Sequence, residues 1–265
     1  MLLQKIIICK DTIFLITKLY IFAFMKWKMF FCSIWKLPTI AGVLLLAVSL
    51  SCCKRDKITI SGVIENSNKS YCVLMQIFPE DVVVVDTIAI LSGKFSYRIK
   101  SDDIGVYLLK ISDDSFLSFI ASPADNLIFS GNANNFTQTC SVKGNEESEL
   151  LMESRHKLNQ LYEDIKPLSQ EFIKHAYSDD FDSIKTVIDS SYNILFENHK
   201  EYLTNFIISN PDKLASLMAF YQALGQNTFF SIEEDRDLLE MIYAALSKKY
   251  PESLYVIHLK EKLEE

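Results

Sequence analysis

Two different hydrophobic rhythms divide this chain. Between Lys57 and Gly144 the apolar residues fall in short β-branched or aromatic runs: KITISGVIE, YCVLMQIF, VVVVDTIAIL, KFSYRIK, GVYLLKIS, SFLSFIA and NLIFSGNA. Turn residues separate them at roughly 8–12-residue intervals, the pattern of an antiparallel sandwich or barrel. The segment LSGKF predicts a hairpin turn with Ser92-Gly93 at its tip. Past Gly144 the period lengthens. Ile184, Val187, Ile188, Ile194, Leu195, Tyr202 and Phe206 fall mostly on one face of a helix. Asn210-Pro211 predicts a cap and first turn ahead of DKLASLMAFYQAL, and Ser231 with Glu234 predicts a capping box ahead of DRDLLEMIYAALSKKY. Pro251 then predicts the start of a last short helix. The expected fold class is α+β: an N-terminal antiparallel β-sandwich or barrel-like domain over 57–144, followed by an all-helical domain over 145–265.

A third pattern precedes both. The apolar run over residues 40–50 is too short to span a bilayer, which takes roughly 20 residues. With Lys26, Lys28 and Lys36 ahead of it, it reads as the hydrophobic region of a leader. The run ends in SLSCCKRDK, with small residues beside Cys52 and Cys53. This resembles the lipobox of bacterial lipoproteins, in which a cysteine thiol receives the lipid and becomes the mature N-terminus. Cys52 has Ser51 before it; Cys53 has Leu50 at the favoured position but Cys52 at the cut. Cys52 is the preferred lipidation site and Cys53 the alternative. An ordinary secreted protein cut nearby, or an uncleaved signal anchor, is the plainer reading. The expected layout is a leader over 1–51, an anchor and linker over 52–56, and then the two domains. Residues 1–25 are interrupted by Lys10, Asp11 and Lys18, and charge at a helix centre is costly in lipid. Met25 or Met29 therefore reads as the true start; a second membrane helix there is the alternative.

Composition narrows the partners. Without the leader the chain carries 21 basic and 33 acidic residues, a net charge of −12. No cluster of Lys and Arg stands out along the sequence, so nucleic acid is not an expected partner. Beyond the anchor pair the cysteines are Cys72 and Cys140, with no CxxC and no zinc-type spacing. They could form a disulfide in an oxidising envelope or stay as two buried thiols.

Candidate chemistry is sparse. His156, His175, His199 and His258 all lie in the helical half, with no two one turn apart. Glu153 and Glu171 precede His156 and His175 by one turn, but a bundle metal site needs two such pairs facing each other. Asp102-Asp103, Asp113-Asp114 and Asp179-Asp180 read as turn and cap residues. Phe95, Tyr97, Tyr107, Phe116, Phe119 and Phe129 read as core. No catalytic, metal or cofactor site is expected.

The segment VVDTIAILSGKFSYRIK resembles a hairpin of pattern Val-Asp-Ser/Thr-x-x-x-x-x-Gly-Lys-Phe-x-Phe/Tyr. FIASPADNLIFSGNANNF is similar to a Pro-Gly-Asp-Asn stretch, and VKGNEESELL to a Gly-Ser-x-x-Asn lead into a helix. These motifs, in this order, resemble an N-terminal β-domain of unknown function, domain family 4369, of Bacteroidota envelope lipoproteins. Ala124 stands where that pattern has glycine, and Asn145-Glu146 where it has serine. The resemblance implies a thioredoxin-like domain with a Trp-Cys-x-x-Cys site beyond the last helix, where this sequence stops at Glu265. Asp86-Thr87-Ile88 also matches a short O-glycosylation signal of that bacterial group. Two functions follow as expectations. One is a lipid-anchored, non-catalytic envelope module whose partners are the membrane and a thioredoxin-like protein or domain. The other is a truncated or decayed thiol-disulfide oxidoreductase, for which Tyr255, Leu259 and Leu263 would leave an unpartnered face on the last helix.

Overall fold

A computed structural model describes residues 57–112 and 114–265. The leader, Cys52, Cys53 and Asp113 lie outside the described residues. Within the β half, one sheet has the order β4-β1-β7-β8: β1 is Lys57–Glu65, β4 Lys94–Lys100, β7 Asn126–Asn132 and β8 Ser141–Lys143. The other has the order β3-β2-β5-β6: β2 is Tyr71–Ile77, β3 Val82–Ala89, β5 Gly105–Ser112 and β6 Ser115–Ala121. All pairings are antiparallel except β1 with β7, which is parallel and departs from a wholly antiparallel expectation.

Alternation along the strands makes the sandwich. Ile58, Ile60 and Ile64 point inward from β1, Leu127 and Phe129 from β7, and Tyr107 and Leu109 from β5. Their odd-numbered neighbours on β1 and even-numbered neighbours on β7 face out, because successive side chains of a strand take opposite faces. Phe119 stacks on Tyr107 and meets Phe129 edge-on. Phe95, Tyr107, Phe119 and Phe129 are buried, as expected; Tyr97 and Phe116 are half-buried.

The Ser92-Gly93 turn is present, with φ of 51° and 74°. Two successive positive φ values give a tight two-residue reversal of the I′ kind. Yet it joins the two sheets rather than two partners in one. Leu91 and Lys94 bridge, and β3 and β4 then part into different sheets.

Six helices are described. α1 is Phe136–Thr139, α2 Glu146–His175, α3 Phe181–Ser209, α4 Leu214–Phe220, α5 Arg236–Lys249 and α6 Leu254–Glu264. A tiny hairpin, Ala223–Leu224 with Asn227–Thr228, lies between α4 and α5. α2 and α3 form a long hairpin, each about 45 Å at 1.5 Å per residue. Leu151, Leu158, Leu161 and Ile165 of α2 share one apolar cluster with Leu195, Tyr202 and Leu203 of α3. Three predicted helix starts shift. Asn210 ends α3 instead of opening the next helix, which begins at Leu214. Ser231 Oγ accepts from Glu234 N, but Asp235 rather than Glu234 returns the bond to Ser231 N, so α5 starts at Arg236. α6 begins at Leu254, three residues after Pro251.

Sheet and helices pack as one compact unit. β6 is a sheet edge, and its Ile120 N–H and C=O are taken by Ser148 of α2, at 3.1 Å and 2.5 Å. Asn145 caps α2 by accepting from Ser148 N and donates to Ile120 O and to Asp125. Gly144, at φ 122°, makes this approach possible: a Cβ there would stand 2.2 Å from Asn126 O. At the far end of the chain Tyr255 of α6 reaches the mouth of the β2–β5 ladder. Its hydroxyl accepts from Val106 N at 2.9 Å and donates to Ile77 O at 2.5 Å, the two residues that face each other in register.

Tyr255→Phe strands the buried Val106 N–H and the part-buried Ile77 carbonyl, so urea unfolding should show a loss of about 1–3 kcal/mol. Ala124 sits at φ 78°, the left-handed region where glycine carries no Cβ penalty. Ala124→Gly should therefore raise stability by about 0.5–1 kcal/mol in the same assay.

Candidate functional site

Each candidate residue has a definite structural place. Cys72 and Cys140 are free thiols, both buried in the sandwich core. Burial pushes the Cys72 thiol up to about 11 and that of Cys140 up to about 12. Neither offers the thiolate that thiol exchange requires. The disulfide alternative is not the one the structure takes.

The histidines do not converge. His175 Nε2 lies 3.3 Å from Glu171, one turn back on the same exposed face. His258 stands 3.9 Å from Glu80 and 3.8 Å from Glu261. His199 is buried, with its ring 4.7 Å from that of Phe229 and 5.8 Å from that of Tyr202. It meets Gln222 Oε1 at 3.4 Å; Gln222 donates to Ser154 Oγ, which donates to Leu151 O. Burial holds the imidazole below its usual range, so it stays neutral in the core. Among the described residues no three His, Cys, Asp or Glu side chains gather as a metal site.

The acidic residues act as structural bonds. Asp103 accepts from Ile104 N. Glu147, buried, accepts from Ala215 N at the start of α4 and from Tyr250, with Lys249 at 3.6 Å. Burial raises its carboxyl above the usual range in spite of these partners. The carboxylate thus ties α2 to α4 and α5. Asp180 precedes α3 without capping it.

The surface facing away from the helices is more distinctive. β3 is the edge of its sheet, and Val82, Val83, Val84 and Val85 are all exposed. The run forms a strand as expected, and no second layer lies over it among the described residues. An exposed aliphatic edge is a template for pairing with another chain. Here Asp81 and Asp86 bracket it, each accepting the next residue's N–H, from Val82 and Thr87, at 2.7 Å. Tyr97 also donates to Asp86, which lowers the Asp86 carboxyl below its ordinary value. Between β3 and β4 lies an open cleft of about 800 Å³, lined by Thr87, Ile88, Lys94, Phe95, Tyr97 and Phe129 among others. A smaller apolar recess of about 320 Å³ lies between the β2–β3 turn, α4 and α6, at Phe78, Tyr221, Tyr255 and His258. Tyr255, Leu259 and Leu263 are themselves buried.

What fold and surface define is a β-sandwich with one edge closed by helices and the other left open. Residues 58–151 match the family model described as Domain of unknown function (DUF4369), about a third of the chain. They cover the whole sandwich and the first turns of α2, so this segment carries that domain, in agreement with its hairpin and turn motifs. No curated protein and no solved structure matches the chain. Among the described residues no helix is long and apolar enough to cross a membrane.

The lowered pKa of His199 means the folded state binds its proton less readily than the unfolded state does. Its contribution to stability is present above the ordinary value of 6.5 and is lost as pH falls through the folded value. Unfolding free energy measured from pH 7 downward should therefore fall below 6.5, and His199→Gln should flatten that slope.

Proposed function

We propose that this chain is a lipid-anchored, non-catalytic lipoprotein of the cell envelope, of the type found ahead of thioredoxin-like thiol-disulfide oxidoreductases. The observation that carries the reading is the short apolar run over residues 40–50. It is followed at once by Cys52-Cys53, with Cys52 five residues before the first strand of the β-domain. Acylation at Cys52, with Cys53 as the alternative, holds the chain at the membrane; each buried methylene adds about 0.8 kcal/mol, so several chains anchor stably. The sandwich and helices then position a partner, a thioredoxin-like protein or domain.

The state of the two core thiols supports a role without thiol exchange, because both are buried and held protonated. The competing reading, a truncated or decayed oxidoreductase, expects an apolar face on α6 with nothing packed on it. Tyr255, Leu259 and Leu263 are instead buried within this chain, which favours a self-sufficient module.

Metabolic labelling with a fatty acid tests the anchor. Wild type and Cys53→Ala should take the label and Cys52→Ala should not. Loss of label only in Cys53→Ala moves the site by one residue, and no label in any form rejects the anchor.

A further inference from the structure

We infer that the outer face of the β4-β1-β7-β8 sheet is a membrane-facing surface that rests on anionic lipid headgroups. Strand alternation places Lys57 and Val63 of β1 on this face, with Lys94, Arg98 and Lys100 of β4. Register puts Lys57 opposite Lys100, Thr59 opposite Arg98 and Val63 opposite Lys94. Across the sheet, Ser61 neighbours Ile128 of β7, and Ile128 neighbours Lys143 of β8. Five cations therefore share one sheet face, and all five are exposed. None of them is ion-paired with a described residue, whereas nine of the cations on the helical half are.

Like charges directly opposite each other destabilise a sheet, and Lys57 with Lys100 is such a pair. The face carries this cost while the chain as a whole is acidic. At the middle of the face Val63 and Ile128 are 43 % and 57 % exposed. Thr59, Ser61, Ser96, Asn126, Ser130, Asn132 and Ser141, also outward, are short and polar. Glu65, at the end of β1, is the acidic residue nearest in register on that side. At its middle Ser61, Val63, Lys94, Ser96 and Ile128 also line the open cleft beside β3, so the face is a shallow recess rimmed by basic side chains. Five cations without an ion pair among the described residues, around two exposed aliphatics, match an anionic bilayer, which attracts each nearby Lys or Arg and admits aliphatic side chains at its boundary.

The position of the face agrees. It rests on the anchor reading above for its distance to the membrane: Cys52 lies five residues before Lys57, a span of at most about 17 Å. Lys54 and Arg55 in that link add two positive charges and Asp56 takes one away, a net gain of one. With this sheet face on the membrane, the opposite sheet and the helices packed on it point away from the lipid.

The test is amine footprinting on the full-length lipoprotein, incorporated in vesicles of phosphatidylcholine alone or with phosphatidylglycerol added. Acetylation is read by mass spectrometry, and the mass of the Cys52 peptide reports lipidation in the same digest. Lys94, Lys100 and Lys143 should acetylate several-fold more slowly on the anionic vesicles, and Lys166 and Lys248 on the helices at one rate on both. High salt should remove the protection, as screening requires. Arg98→Glu with Lys100→Glu, both at exposed positions, should abolish protection at Lys94 and Lys143. Equal acetylation on both vesicle types, with lipid present on Cys52, overturns the docking face and leaves the anchor standing; an acidic protein surface is then the occupant to seek. Protection on anionic vesicles without lipid on Cys52 or Cys53 keeps the face and overturns the anchor.

Discussion

The junction at Ile120 is the constraint on which the architecture depends. A sheet edge presents backbone donors and acceptors that must be satisfied when buried. Here α2 supplies the partners with two side chains, Ser148 to the N–H and C=O of Ile120 and Asn145 to the same C=O. One bond set does three things: it caps the helix, closes the edge of β6 and fixes the angle at which the long α2–α3 hairpin leaves the sandwich. Gly144 is needed because the backbone passes too close to Asn126 for any Cβ. Tyr255 repeats the device at the other end of the chain, so the last helix is bonded to the ladder of β2 and β5.

Closing one side of the sandwich leaves the other side to interact. The helices take up β6, the outer side of Val106 and Ile120, and the end of β2, and their own apolar faces are buried in the process. What the described residues leave open is the β3 edge, the cleft beside it and the outer face of the sheet that begins at Lys57. The valines of β3 sit on an edge blunted by two aspartates, whereas the cations of β1, β4 and β8 form no ion pair with a described residue. The two surfaces differ in sign as well as in shape. That polarity suits a module held at a membrane on one side and presenting helices on the other.

Burial also settles the character of the polar groups inside. Cys72 and Cys140 fill space in the core with raised pKa values, and His199 is kept neutral among aromatic rings. Glu147 keeps its carboxylate in the interior because a helix N-terminus, a tyrosine and a lysine converge on it. In each case the group serves the packing of elements distant in sequence.

The strand runs, the change of period at Gly144 and the turn at Ser92-Gly93 were legible in the sequence because they are local. Period-2 alternation, 3.6-residue periodicity and positive-φ turn residues act over a few positions. Ala124 stood out only through the resemblance, as a turn position where that pattern has glycine; its positive φ is seen in the structure. Helix starts were less so, because Asp235 and Asn210 found partners that short spacing rules do not single out. The parallel pairing of β1 with β7, the exposure of VVVV and the burial of Tyr255 were decided only by tertiary structure. They depend on which strand lies beside which, and on which face has a second layer over it. The basic face shows the division most clearly. Lys57, Lys94, Arg98, Lys100 and Lys143 span nearly ninety positions and form no cluster in the chain. Strand register brings them together, because it lays residues far apart in sequence side by side at the spacing of neighbouring strands.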